Sequence, residues 1–197
     1  MSPRMGLPAR RTRIWLGIVL LARFRAEGLE QFGHTPQAFL NSLAPLLAFP
    51  LVSGVMTMIG GAGHYAMVNV LVSVIALVAP AVISYYFARV WERDALWLRY
   101  AIAFNWCEAA VMLVAVFVLL LPGSLIATDQ AAWTGVLAAV VALLIYWLVL
   151  HGFMARHGLR ISTFRAVLLV IVVNLGTGML VKGPWLLASL MGFVRGG

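Results

Sequence analysis

Glu108 is the one acidic residue inside a long apolar run, and the sequence offers few other groups nearby able to do chemistry. An ionisable side chain in such surroundings loses hydration worth several kcal/mol unless a neighbour satisfies it. If the run is helical, Asn105, three residues earlier, and Met112, four later, share a face with Glu108. Arg89, just after Tyr85 and Tyr86, and His151, just after Tyr146 and Trp147, lie near the ends of two other apolar runs. These positions predict a polar cluster of Asn105, Glu108, Arg89 and His151, in which Glu108 pairs with Arg89 or His151. Such a cluster could act as a proton or ion relay, or as a small-solute site. Alternatively, it joins helices through hydrogen bonds of about 1 kcal/mol each. The second role is favoured, because a solute path needs more polar groups at mid-depth than Asn174 alone.

The other motifs are weaker. Asn174-Leu-Gly176-Thr-Gly178 supplies small residues for close helix packing, or a point where a helix could unwind around a ligand. Lys182–Gly183–Pro184 fits that second idea but fits a plain helix end better. His34, His64 and His157 lack metal-ligand spacing, so no metal site is expected. Nucleophile-elbow, zinc-protease, P-loop and dinucleotide signatures are all missing, as are paired carboxylates. No catalytic residue and no cofactor is assigned, and nothing argues for an enzyme. The single cysteine, Cys107, rules out an intrachain disulfide.

The elements that must hold these groups follow from composition. Hydrophobic residues make up 63% of the 197 and charged ones 10%, with a mean hydropathy of +1.01. A water-soluble domain needs roughly 25% charged residues to cover its core, whereas a chain in lipid has no such need. The fold class expected is therefore an all-α integral membrane bundle. The net charge of +8 comes from short basic clusters between apolar runs, as in loops facing anionic lipid. No nucleic-acid partner is expected. Thirteen of the 14 basic residues are Arg, which with abundant Ala, Leu, Val and Gly suggests a GC-rich bacterial source and hence a bacterial cytoplasmic (inner) membrane.

Two regions are expected: a basic leader with an interfacial helix over 1–35, and a five-helix transmembrane domain over 36–197. The nine apolar residues Ile14–Ala22 are too few to cross a core that needs about 20. A signal peptide or twin-arginine signal fails because Arg23 and Arg25 follow at once without a cleavage site. An amphipathic helix lying in the interface is preferred, continuing through Phe24, Leu29 and Phe32 on one face. The spans are expected at about 36–60, 66–89, 100–121, 133–155 and 166–183. Thr35 caps the first, Pro36 sits at its first position, and Pro45, Pro50 and Pro80 should kink the first two. Glu108 then lies ~12 Å past Tyr100 along the third span. Residues 184–194 form a short tail helix or an oblique continuation. If 166–194 folds back as a hairpin, the count becomes six.

Loop charge gives the orientation. Arg4, Arg10, Arg11, Arg13, Arg23 and Arg25 precede the first span, Arg89, Arg93 and Arg99 flank the second loop, and Arg156, Arg160 and Arg165 flank the fourth. The loops at 61–65 and 122–132 carry none. That alternation places the N-terminus in the cytoplasm and the C-terminus outside.

The words TPQAFLNSLAPLLAFPLV (35–52), YYFARVWERDALWLRYAIAFNW (85–106) and IYWLVLHGFMARHGL (145–159) resemble a group of small bacterial membrane proteins. That group is loosely similar to the Yip (Ypt-interacting protein) superfamily of five-helix membrane proteins. The resemblance covers about residues 30–180 and is strongest in the charged turn leading into Ala103–Trp106. It implies a cytoplasmic N-terminal region followed by five helices, and it carries no binding residue to this chain. The function expected is a non-enzymatic protein that contacts the lipid bilayer and binds a membrane-protein partner or a second copy, or organises lipid. The alternative is a small transporter or permease subunit using the cluster around Glu108.

Overall fold

The computed structural model describes residues 13–61, 63–125 and 130–195, with side chains over 13–61, 67–118 and 133–183. The leader up to residue 12 and the side chains of His64 and of 184–195 lie outside that description. Every element among the described residues is helical. They are α1 (Ile14–Ala22), a 3-10 helix (Ala26–Gln31), α2 (Pro36–Ile59), α3 (Gly63–Val90), α4 (Asp94–Leu125), α5 (Gln130–Gly158) and α6 (Thr163–Arg195). Helices α2 to α6 are each long and apolar enough to cross a membrane. The chain is a multi-pass integral membrane protein.

Local chemistry explains most boundaries. Thr35 Oγ1 accepts from the Ala38 amide at 3.2 Å and Pro36 opens α2, which then runs through Pro45 and Pro50. Helix α4 starts at Asp94, whose carboxylate suits the positive end of the helix dipole, six residues before the expected span. It also continues past Pro122–Gly123 to Leu125. Helix α6 is unbroken from Thr163 to Arg195, so Lys182–Gly183–Pro184 neither ends it nor starts a hairpin.

The N-terminal segment differs from the single continuing helix expected. Helix α1 stops at Ala22, and the chain turns back at Phe24 into the 3-10 helix, until the Arg13 amide meets the Gln31 carbonyl at 3.2 Å. Two glycines allow this close return: a Cβ on Gly28 would lie 2.8 Å from the Gly17 carbonyl oxygen, and one on Gly17 2.6 Å from the Phe32 ring. The hairpin buries Leu21, Leu29 and Phe32 against α4 and α5, and turns the apolar Trp15, Leu16 and Val19 outward.

The spans form a ring in the order α2, α3, α6, α5, α4 and back to α2, with α3 also touching α4 across it. Burial is concentrated at one end. Ser42 and Leu46, Ser84 and Ala88, Tyr100 to Ala103, Leu150 and Met154, and Leu169 and Val173 pack there. Toward the other end Val55, Leu71, Phe117, Leu137 and Met179, one from each span, are all more than half exposed. Lipid solvates such surface as well as a protein core would.

The packed end is also the basic end. Its three turns share one geometry, with a left-handed residue closing each helix: Phe24 (φ 55°), Glu92 (φ 56°) and Arg160 (φ 52°). In each, the following amide bonds back five residues: Arg25 to Leu20 O, Arg93 to Ala88 O and Ile161 to Arg156 O. These are Schellman closures, at a position where glycine would avoid the left-handed strain.

Candidate functional site

Helix α4 lies between α2 and α5, and its polar residues are divided between them. Asn105 and Glu108 are three residues apart, hence about 60° around the helix, which suffices to aim one at each neighbour. Asn105 Nδ2 donates to Ser42 Oγ of α2 at 2.9 Å, and Ser42 Oγ donates to the Phe39 carbonyl at 2.7 Å. Both side chains are buried, and each has a partner.

Glu108 turns to α5. Its Oε2 accepts from Trp147 Nε1 at 2.7 Å and lies 3.2 Å from His151 Nε2. The His151 ring is held between Phe104 and Trp147, with ring centroids 4.4 Å and 4.3 Å away. These two rings fix the imidazole plane and leave its Nε2 edge facing the carboxylate.

Of the four residues expected to cluster, the structure joins only Glu108 and His151. Asn105 belongs to a separate contact with α2. Arg89 is exposed near the end of α3, and among the described residues it forms no ion pair with Glu108. The separation is geometric: Arg89 is one residue from the end of α3, while Glu108 is 14 residues, ~21 Å, into α4. Met112, the third residue of the expected face, lines both the depression between α2 and α3 and the seam beside Trp147 between α4 and α5.

Two partners were not among the expected site residues. Trp147 is four residues before His151, so helical spacing alone puts both on one face. Ser42 is 63 residues from Asn105, and no local pattern links the two. Other polar groups join neighbouring elements in the same way. Trp97 Nε1 donates to Ser84 Oγ at 3.1 Å, and Tyr146 Oη donates to the Ala22 carbonyl at 2.8 Å, tying the end of α1 to α5.

Family models, curated proteins and solved structures give no match.

The site must therefore be judged on its own contacts. Asn174 is satisfied within its helix, donating to the Val170 carbonyl at 2.8 Å. The five main cavities among the described residues are lined by neither Glu108 nor Asn174. The space nearest the Glu108 partners, ~170 Å³ between α4 and α5, is walled by Val111, Ala115, Val140, Leu144 and Trp147. It is an apolar seam with nothing to coordinate an ion. Among the described residues, no three His, Cys, Asp or Glu side chains converge on a point where a metal could bind. Chemically, the Glu108–Trp147–His151 group can hold α4 to α5, and its hydrogen-bonding capacity is directed inward.

Proposed function

We propose that this chain is a non-enzymatic, membrane-organising interaction protein of a bacterial inner membrane, working through its basic end. The observation that carries this reading is that Glu108 accepts from Trp147 and faces His151, and that the space beside these partners is apolar. The polar interior then serves to lock the helices, and the surface is left to do the work. In this reading the N-terminus and the basic end face the cytoplasm, as the loop charges favour. The hairpin of α1 and the 3-10 helix lies in the interface, its apolar side in lipid and its polar residues Glu27, Glu30 and Gln31 toward water. The strained closures support the choice of surface, because Glu92 and Arg160 occupy left-handed positions where glycine would avoid the strain. The layout of a leader followed by five helices also agrees with the Yip-like resemblance, which supplies no residue role.

The test compares the wild type, Glu108→Gln and a variant with Arg93 and Arg99 changed to Ala, each purified in mild detergent and separately reconstituted in vesicles. Co-purifying proteins and lipids should survive Glu108→Gln and be lost from the arginine variant. Proton or solute flux that disappears with Glu108→Gln would instead establish transport.

A further inference from the structure

Near the basic end a groove of ~510 Å³ lies between α5 and α6. Its walls are Leu148, Val149, Val167, Val170 and Ile171, and Gly152 forms its floor. Phe24, held edge-on to Tyr146 and Phe153 at 5.7 Å and 5.5 Å, closes one side. At the mouth stand Arg156, His157 and Thr163. We propose that this groove binds one anionic phospholipid of the leaflet at the basic end, with an acyl chain along Gly152 and the phosphate at Arg156 and Thr163.

Three features favour that occupant over another helix. The first is length. From His157 to Leu148 is a rise of nine residues along α5, and from Thr163 to Ile171 a rise of eight along α6, or ~12–14 Å. That is half of a hydrocarbon core of about 30 Å, and so the depth of one leaflet. A partner helix would extend through both leaflets.

Charge is the second. Arg156 is exposed, has no ion-pair partner among the described residues, and no acidic residue lines the groove. Glu27 and Glu30 line the neighbouring depression instead, with Arg99 and Arg160. A zwitterionic headgroup gains less from an unpaired guanidinium than a singly anionic one, and the leaflet electrostatics act in the same direction.

The third is the floor. A Cβ added at Gly152 would meet no atom within 4 Å, so the space above it is open and belongs to no protein side chain. Thr163 and the first amides of α6 add hydrogen-bond donors at the mouth, next to the Ser162 cap that takes the Arg165 amide at 3.4 Å.

The inference rests on reading the basic end as the working surface and adds a ligand class to it. Its test uses the full chain exchanged into detergent containing equimolar dioleoylphosphatidylglycerol and dioleoylphosphatidylcholine, with bound lipid read by native mass spectrometry. The wild type should retain phosphatidylglycerol in preference. Gly152→Leu, which fills the groove, should cut retention about tenfold. Gly135→Leu is the matched control, since its Cβ also meets nothing and it lies outside the groove; retention there should be unchanged. Arg156→Gln, at an exposed position, should lower the preference for phosphatidylglycerol about fivefold. Equal retention by the wild type and Gly152→Leu would overturn the proposal. So would a wild type indifferent to headgroup, or a bound second copy that Gly152→Leu releases. Each of these leaves the partner-binding part of the functional reading standing, whereas Glu108-dependent flux would sink that reading and leave the groove untouched.

Discussion

Trp147 Nε1 and Glu108 Oε2, 2.7 Å apart, form the polar contact that joins α4 to α5. His151 Nε2 lies 3.2 Å from the same oxygen, so one carboxyl group serves two rings of α5. Removing it leaves the Trp147 donor and the His151 ring without that partner, whereas removing either ring leaves the other in place. The contact is asymmetric in that sense, and mutation can read the asymmetry.

Glu108→Leu should therefore destabilise the protein more than Glu108→Gln, which keeps an acceptor for Trp147. Interhelical bonds in membranes average about 0.6 kcal/mol, and orphaned buried donors cost about 1–3 kcal/mol. The leucine variant should lose about 2 kcal/mol and the glutamine variant less than about 1 kcal/mol, read from thermal unfolding in detergent. Equal losses would mean that the carboxylate is not the acceptor joining these rings.

The contact between Asn105 and Ser42 should behave as an independent joint. A double-mutant cycle with Asn105→Leu and Ser42→Ala is expected to give a coupling of about 0.5–1 kcal/mol. Coupling between Ser42→Ala and Glu108→Gln should be close to zero, because α4 directs the two residues to different neighbours. Strong coupling of that second pair would show one shared network.

Glycine at the left-handed closures should stabilise where the native side chain does not pack. Glu92→Gly and Arg160→Gly are each expected to gain about 0.5–1 kcal/mol. Phe24→Gly should lose stability instead, since Phe24 packs on Tyr146 and Phe153. Unfolding midpoints of the three variants decide the matter, and a stabilising Phe24→Gly would contradict the packing described.

Tyr146→Phe removes the hydroxyl that donates to the Ala22 carbonyl. The hairpin of α1 should then open more often, and trypsin should cut after Arg23 or Arg25 several-fold faster while the spans stay intact. An unchanged cleavage rate would mean that Leu21, Leu29 and Phe32 hold the hairpin without that bond.

Orientation can be measured without removing the native thiol, because Cys107 is buried. Arg93→Cys and Arg160→Cys should resist an impermeant maleimide added outside intact cells and react once the membrane is opened. Labelling from outside would invert the proposed orientation.

The number and rough position of the spans were legible because transfer to lipid is additive along a sequence. Roughly 20 apolar residues in a row mark a helix that crosses, whichever helices later surround it. Thr35–Pro36 was legible for a similar reason, since capping involves only neighbours in the chain. The pairing of Glu108 with His151 could be proposed, because an intramembrane carboxylate needs a partner and the sequence offers few. The choice between Arg89 and His151 could not be made in advance, since it depends on how deep each sits once α3 and α5 have packed. The turn-back at Phe24 was hidden because a left-handed residue is usually glycine, and this one is paid for by two aromatic contacts from α5.

What the sequence determined alone was the solvent: a chain this apolar must form helices that cross lipid, with its arginines gathered in alternate turns. Tertiary structure decided which helices touch, which of the few polar groups meet, and where a groove is left between α5 and α6. Helix packing depends on contacts between residues tens of positions apart, and hydropathy, which sums over neighbours, carries no record of them.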